Sequence, residues 1–160
     1  MRIAILVALA IGLHGLERMF PTPLPWLRFG FANIITLTII VFYGLKAGLM
    51  LTLIRVLVVS LLVGTFLGPG FLLSLSGGVT STLAMGIFYL LMGRLLSPLG
   101  LSLIGAFTHN LTQLAVAYLL FVRRIEVILF ISPVVLGVGV FTGMVNGIAS
   151  GMLIRGIREE

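Results

Sequence analysis

The chain has 160 residues, of which 60% are hydrophobic and only 9% are charged. Soluble domains carry about 25% charged residues, so this composition excludes an ordinary soluble domain and indicates an integral membrane protein. The net charge of +6 comes from basic residues that are scattered singly or in pairs, as at membrane borders, and does not resemble a nucleic-acid surface. Cysteine and aspartate are absent, which excludes thiolate chemistry and argues against a metal-dependent active site.

Six apolar segments predict an all-α bundle of six transmembrane helices in one domain, residues 1–160. Residues 1–13 also resemble a signal peptide, but we expect a genuine first span. A proline-rich connection at 20–28 follows it and is incompatible with a regular helix. The predicted spans are residues 3–16, 31–45, 47–64, 72–92, 101–122 and 127–154.

The basic residues at the predicted borders favour cytoplasmic termini, although the balance is narrow. With this orientation the inner group is Arg2, Lys46, Arg94, Arg155 and Arg158. The outer group is Arg18, Arg28, Arg123 and Arg124. We therefore expect a multi-pass protein with both termini inside.

Arg55 lies alone in the apolar stretch of the third predicted span, nine residues from both Lys46 and Gly64. At a rise of about 1.5 Å per residue, each helix end is about 13 Å away. This is too far for the Arg55 side chain to reach the membrane surface readily. A charge at that depth costs at least about 2.5–3.5 kcal/mol and needs a partner, a water-filled cavity or an anionic ligand. None of the four acidic residues lies in a predicted membrane core. Arg55 is therefore the leading candidate for anion binding.

The fourth predicted span carries small and polar residues on one helix face. Ser74, Gly77, Gly78 and Ser81 recur every three to four residues. Such a face is typical of close helix packing. It also suits a wall where a ligand contacts the backbone, and both readings stay open.

The fifth predicted span holds three strongly hydrogen-bonding side chains that we expect to face inward together: His109, Asn110 and Gln113. Such groups are expensive at lipid depth unless they are satisfied, either by Arg55 or by a ligand. Asn33 and Thr36 lie one turn apart at the start of the second span, where Asn33 is either a helix cap or a site residue.

Two ladders of small residues favour close helix contacts, either inside the bundle or with another chain. The ladder in the first span is Ala4, Ala8 and Gly12, and the one in the sixth span is Gly139, Gly143, Gly147 and Gly151. The second ladder would hold a homo-oligomer if it faces outward.

Other chemistries find little support. A Ser–His hydrolase built from Ser81 and His109 lacks a nucleophile-elbow motif. A proton-coupled carrier would need carboxylates in the membrane, and no channel filter motif is present. We therefore expect no catalysis, no metal and no cofactor.

Four motifs in one order resemble a bacterial membrane family labelled Gx transporter and also labelled heptaprenyl diphosphate synthase component I. They are the string from Arg28 to Ile34, Arg55, the Ser-x-x-Gly-Gly-x-x-Ser of residues 74–81, and the His-Asn-x-x-Gln of residues 109–113. The family is similar in size and layout to the S components of energy-coupling factor (ECF) importers. That similarity implies docking of a coupling subunit on Ala4 and Ala8.

The resemblance implies a substrate-binding subunit of an ECF-type importer for a small anion, with ATPase partners, in the bacterial plasma membrane. Residues 20–28 would form a lid, with Trp26 as a stacking or interfacial residue. The synthase label implies instead a non-catalytic membrane partner of a prenyl synthase in menaquinone synthesis. A third hypothesis is a homo-oligomeric facilitator held together by the glycine ladder of the sixth span.

Overall fold

The structure is a computed structural model that describes residues 2–19, 30–93 and 95–159. Within these ranges the chain is helical and contains no strand, which confirms the all-α class. The five helices are α1 (Arg2–Met19), α2 (Ala32–Leu62), α3 (Pro69–Met92), α4 (Pro98–Ala117) and α5 (Ile125–Glu159). A π-helical turn, Tyr118–Val122, extends α4.

Four helices among the described residues are long and apolar enough to cross a membrane: α2, α3, α4 with its π-helical turn, and α5. Helix α1 is not one of them, because its 18 residues include the charged Arg2, Glu17 and Arg18. The structure thus assigns five helices to the described ranges where six were predicted. The difference arises because α2 contains most of both the second and the third predicted spans.

Gly44 divides α2 into two parts. Its backbone, at φ 84° and ψ 175°, occupies a region that is essentially restricted to glycine. A Cβ atom placed on Gly48 would lie 2.6 Å from Cγ1 of Ile40, whereas eight residues of straight helix rise about 12 Å. The chain therefore reverses at Gly44, and the two parts of α2 pack antiparallel.

Helix α2 is the centre of the bundle and contacts all the other helices. In its first part, nearly every residue from Ala32 to Ile40 is buried. Helix α1 covers it through an apolar cluster of Leu6, Ala10, Ile35, Ile39 and Leu51. Helices α4 and α5 pack on each other and share a second apolar cluster with α3.

Helices α3 and α4 each begin at a proline. Pro69 and Pro98 occupy the first turns of α3 and α4, where a missing N–H costs no hydrogen bond. The Ser97 side chain accepts a hydrogen bond from the Gly100 N–H at 3.2 Å and caps α4. Pro133 lies inside α5, which starts at Ile125 and continues past the proline to Glu159.

The glycine ladder of α5 packs against α4 within the same chain. A Cβ on Gly139 would collide with the Asn110 side chain, and a Cβ on Gly147 would lie 2.6 Å from Cα of Leu99. A Cβ on Gly143 would lie 2.9 Å from Cβ of Ala106. Of the two readings of Gly139, Gly143, Gly147 and Gly151, packing inside the bundle is the one that the contacts favour, because α4 lies against the first three and Pro98 beside the fourth. The outward-facing ladder that a homo-oligomer would need is not found among the described residues.

The reversal at Gly44 predicts a specific cost of substitution. Gly44→Ala is expected to lower the free energy of unfolding by about 1–3 kcal/mol, because alanine strongly disfavours this backbone conformation. The matched control is Gly137→Ala, where a Cβ meets no atom within 4 Å and no positive φ is required. Denaturant unfolding in detergent micelles measures both, and equal stabilities would contradict the reversal.

The ladder predicts different outcomes for two neighbouring glycines. Gly147→Ala is expected to lower the free energy of unfolding by about 1–3 kcal/mol, because the new methyl group meets the α4 backbone. Gly151→Ala is the control, since its Cβ would lie 3.8 Å from Pro98, an ordinary contact. A change in oligomeric mass on light scattering, without loss of stability, would show that the ladder faces another molecule.

Candidate functional site

Arg55 is buried, with 4% of its surface exposed, and its Nη2 donates a hydrogen bond to Oδ1 of Asn33 at 2.9 Å. Both residues lie eleven positions from Gly44, so the reversal brings them to the same level. The Nε of Arg55 is also buried and has no acceptor among the described residues. The guanidinium therefore keeps unused hydrogen-bonding capacity in the protein interior.

Glu17, near the end of α1, is the acidic residue associated with Arg55. Its carboxylate is close enough for a Coulombic attraction to the guanidinium. It also accepts a hydrogen bond from the backbone N–H of Phe31 at 2.5 Å, which joins α1 to the segment before α2. Glu17 lies outside the predicted membrane cores, as the sequence indicates, yet it is near Arg55 because the guanidinium lies beside the first turn of α2.

The glycine pair of α3 lets polar side chains approach this helix from two directions. A Cβ on Gly78 would lie 3.8 Å from Nη2 of Arg55. A Cβ on Gly77 would lie 3.0 Å from both Cγ of Gln113 and Cε1 of His109. Substitution of either glycine would therefore crowd the polar groups of α2 or α4.

The amides of α4 point to two different helices. The Nε2 of Gln113 donates to the Leu73 carbonyl of α3 at 3.3 Å, and Nδ2 of Asn110 donates to the Val135 carbonyl of α5 at 3.2 Å. The predicted inward-facing set is thus divided, and Arg55 bonds to Asn33 instead of these amides. The Oε1 of Gln113 is buried without a donor among the described residues.

A small cavity lies between the start of α2 and helices α4 and α5. Its volume is about 10 Å³, roughly the space for one water. At its edge, Nδ2 of Asn146 donates to the Gly30 carbonyl at 3.1 Å. The lining residues are Gly30, Asn33, Ala106, His109, Asn110, Thr142 and Asn146.

Three predicted residues lie elsewhere on the helices. Ser74 is buried and receives a hydrogen bond from Arg18 of α1 at 3.4 Å. Thr36 donates to the Ala32 carbonyl of its own helix at 3.1 Å. Ser81 packs toward Gly105 of α4, and its hydroxyl has no partner among the described residues. Thr36 and Ser81 are thus separate from the cavity lining.

Sequence reasoning missed the contribution of α5. Thr142, Asn146 and Ser150 recur every fourth residue and are all buried, beside the glycine ladder. A polar residue repeated at helical spacing in an apolar span is a signal of an inward face. The glycines drew attention to packing, and this parallel polar stripe was not considered.

The small-residue face of α1 is open. Ala4, Ala8 and Gly12 are exposed, and Gly12 has no atom within 4 Å of a Cβ placed on it. A shallow groove of about 410 Å³ runs along Ala8 and Gly12 between larger apolar side chains. No other described helix covers this face.

Some expectations fall outside the described residues. They concern the proline-rich segment 20–28 with Trp26, which was predicted as a lid, and Arg94. Within the described ranges, no group of three or more histidine, cysteine or acidic residues is placed to hold a metal ion.

Comparison with known proteins identifies the family. A family model described as heptaprenyl diphosphate synthase component I matches residues 6–153. The chain belongs to this family. The resemblance carried by the four ordered motifs is thereby confirmed. No curated protein and no solved structure matches the chain.

The region that matches the heptaprenyl diphosphate synthase component I family includes the polar cluster, which consists of Arg55, Asn33 and the other residues that line the small cavity. It also includes Ala8 and Gly12 of the α1 face, whereas Ala4 lies just before it. The family description names a component of a synthase, and the chemistry of this component must be argued from the residues themselves.

Proposed function

We propose that this protein is a membrane-embedded binding subunit for a small anionic metabolite, working as the S component of an ECF-type importer. The observation that carries the proposal is the buried guanidinium of Arg55, whose Nε has no acceptor among the described residues. A buried cation with free donors is costly, and an anionic ligand offsets this cost through charge-assisted hydrogen bonds.

The surrounding residues suit recognition of such an anion. Arg55 neutralises the carboxylate or phosphate, and its planar fork allows a bidentate contact. Asn33, His109 and Asn146 line the neighbouring cavity and orient the polar part of the ligand. Gly77 and Gly78 keep the α3 wall thin beside these groups.

Ligand binding requires the site to open. A volume of about 10 Å³ holds roughly one water, so a metabolite does not fit between these side chains as they stand. The side chains of α4, α5 and the start of α2 must therefore move apart on binding. This behaviour suits a protein that captures a ligand and then encloses it.

We further propose six membrane crossings in a bacterial plasma membrane, with cytoplasmic termini. In this arrangement α1, both parts of α2, α3, α4 and α5 each cross once, with the reversal at Gly44 on the inner side. The end of α1 and the start of α2 then lie on the outer side. The polar cluster beside them is positioned to receive a ligand from outside.

The exposed face of α1 is proposed as the docking surface for the coupling subunit. Small residues at every fourth position let a partner helix approach closely in a membrane. The exposure of Ala4, Ala8 and Gly12 supports this role. The glycine ladder of α5, in contrast, packs against α4 of the same chain, which argues against a facilitator that oligomerises through this ladder.

A second candidate is a non-catalytic membrane partner of heptaprenyl diphosphate synthase. The family description favours it. The absence of aspartate from the sequence argues against a catalytic role in prenyl transfer, which relies on carboxylate-bound Mg²⁺. In this alternative the exposed α1 face holds the soluble synthase.

The binding function predicts an adduct that depends on Arg55. Native mass spectrometry of gently solubilised wild type is expected to show a small anionic adduct, which Arg55→Gln reduces at least about tenfold in occupancy. The matched control is Arg124→Gln, which removes the same charge from an exposed position between α4 and α5. Wild-type protein without an adduct, or an adduct equally retained by both variants, would overturn the anion-binding role.

The docking proposal predicts which partner α1 holds. In affinity capture from membranes, the wild type is expected to retain an ATPase-bearing coupling complex. Ala4→Leu combined with Ala8→Leu is expected to abolish this, because leucines block close helix approach. Ala115→Leu, at an exposed position of α4, is the matched control. Retention of a soluble prenyl synthase, without a coupling subunit, would favour the synthase partner instead.

A further inference from the structure

Arg18 reaches from α1 across to the start of α3. Its Nη2 donates to the Gly70 carbonyl at 3.1 Å and to Oγ of Ser74 at 3.4 Å. The Nε of Arg18 is buried and has no acceptor among the described residues. Arg18 is thus a second arginine that is held in place while keeping free donor capacity.

The two arginines approach the same face of α3. Arg18 bonds to Ser74, and Arg55 lies 3.8 Å from a Cβ placed on Gly78. Ser74 and Gly78 are four residues apart, so they share a face and are separated by about 6 Å along the helix. Arg18 also lies 3.0 Å from a Cβ placed on Gly70, so the two guanidinium groups approach α3 at levels about one to two helical turns apart.

This arrangement concentrates positive charge. The N-terminal end of α3 carries the positive end of the helix dipole, and its first turn has no acidic residue. Arg18 lies at that end, where a cation is unfavourable unless an anion is also present. Among the described residues, Glu17 is the acidic group that attracts Arg55. One carboxylate does not balance two arginines and a helix end.

We propose that Arg18 is a second anion-contacting residue and that the ligand carries two negative groups, one held by Arg55 and one by Arg18. This inference rests on the proposed binding function and narrows its substrate class. A ligand with a single negative group neutralises Arg55 and leaves Arg18 without a counter-charge. Dicarboxylates and molecules with two phosphoryl groups share the required chemistry.

Inorganic pyrophosphate and orthophosphate serve as probes with two and one phosphoryl groups. Affinities are measured by calorimetry on the full chain in nanodiscs, for the wild type, Arg18→Gln, Arg18→Lys and Arg55→Gln. Arg124→Gln removes one positive charge from an exposed site and is the control. Thermal unfolding of each variant reports whether it is folded.

We expect Arg18→Gln to weaken pyrophosphate binding about tenfold or more and to change orthophosphate binding less than about threefold. Arg18→Lys keeps the charge and is expected to fall between Arg18→Gln and the wild type for pyrophosphate. Arg55→Gln is expected to weaken both probes.

Two results would overturn the inference. If Arg55→Gln weakens both probes but Arg18→Gln alters both equally or neither, the inference about Arg18 is wrong while the binding function stands. If the wild type binds neither probe, the inference is wrong for phosphoryl ligands, and the binding function is judged separately by the adduct of the native protein. If Arg18→Gln is unfolded, Arg18→Lys is used in its place, and it must weaken pyrophosphate binding more than orthophosphate binding.

Discussion

The burial of one guanidinium constrains the helices around it. Arg55 needs an acceptor that the apolar bundle does not otherwise supply, and the reversal at Gly44 provides one by placing Asn33 beside it. The glycine pair of α3 leaves room for the charge, and α1 contributes the carboxylate of Glu17. Three helices thus meet at a group that would be too costly to bury alone.

Much of the fold follows from local properties of the sequence. Apolar runs bounded by proline, glycine or charged residues predict where α3, α4 and α5 lie to within about five residues, because these signals act over short distances. The boundary that the sequence predicts between residues 45 and 47 lies beside the reversal at Gly44, although α2 is otherwise continuous from Ala32 to Leu62. A single glycine with positive φ turns the chain there, and the flanking residues continue the apolar pattern.

The candidate site was predicted less completely than the helices. The sequence singles out Arg55 because an isolated charge in an apolar span is conspicuous. It does not reveal that Asn33 is the acceptor, or that Asn110 and Gln113 bond to carbonyls of different helices. Such pairings depend on helix rotation and register, which hydropathy does not specify. For the same reason Arg18 was assigned to the membrane border, and Glu17 was not connected with Arg55.

The first part of α2 is enclosed by other helices from Ala32 onward, whereas Phe31, just before it, is exposed. The backbone groups at a helix start have no partner within the helix and need one elsewhere. Two side chains from other helices hydrogen-bond to the backbone there. Glu17 accepts from the Phe31 N–H, and Asn146 donates to the Gly30 carbonyl. Helices α1 and α5 therefore tie down the start of α2 by hydrogen bonds to the backbone on either side of the chain.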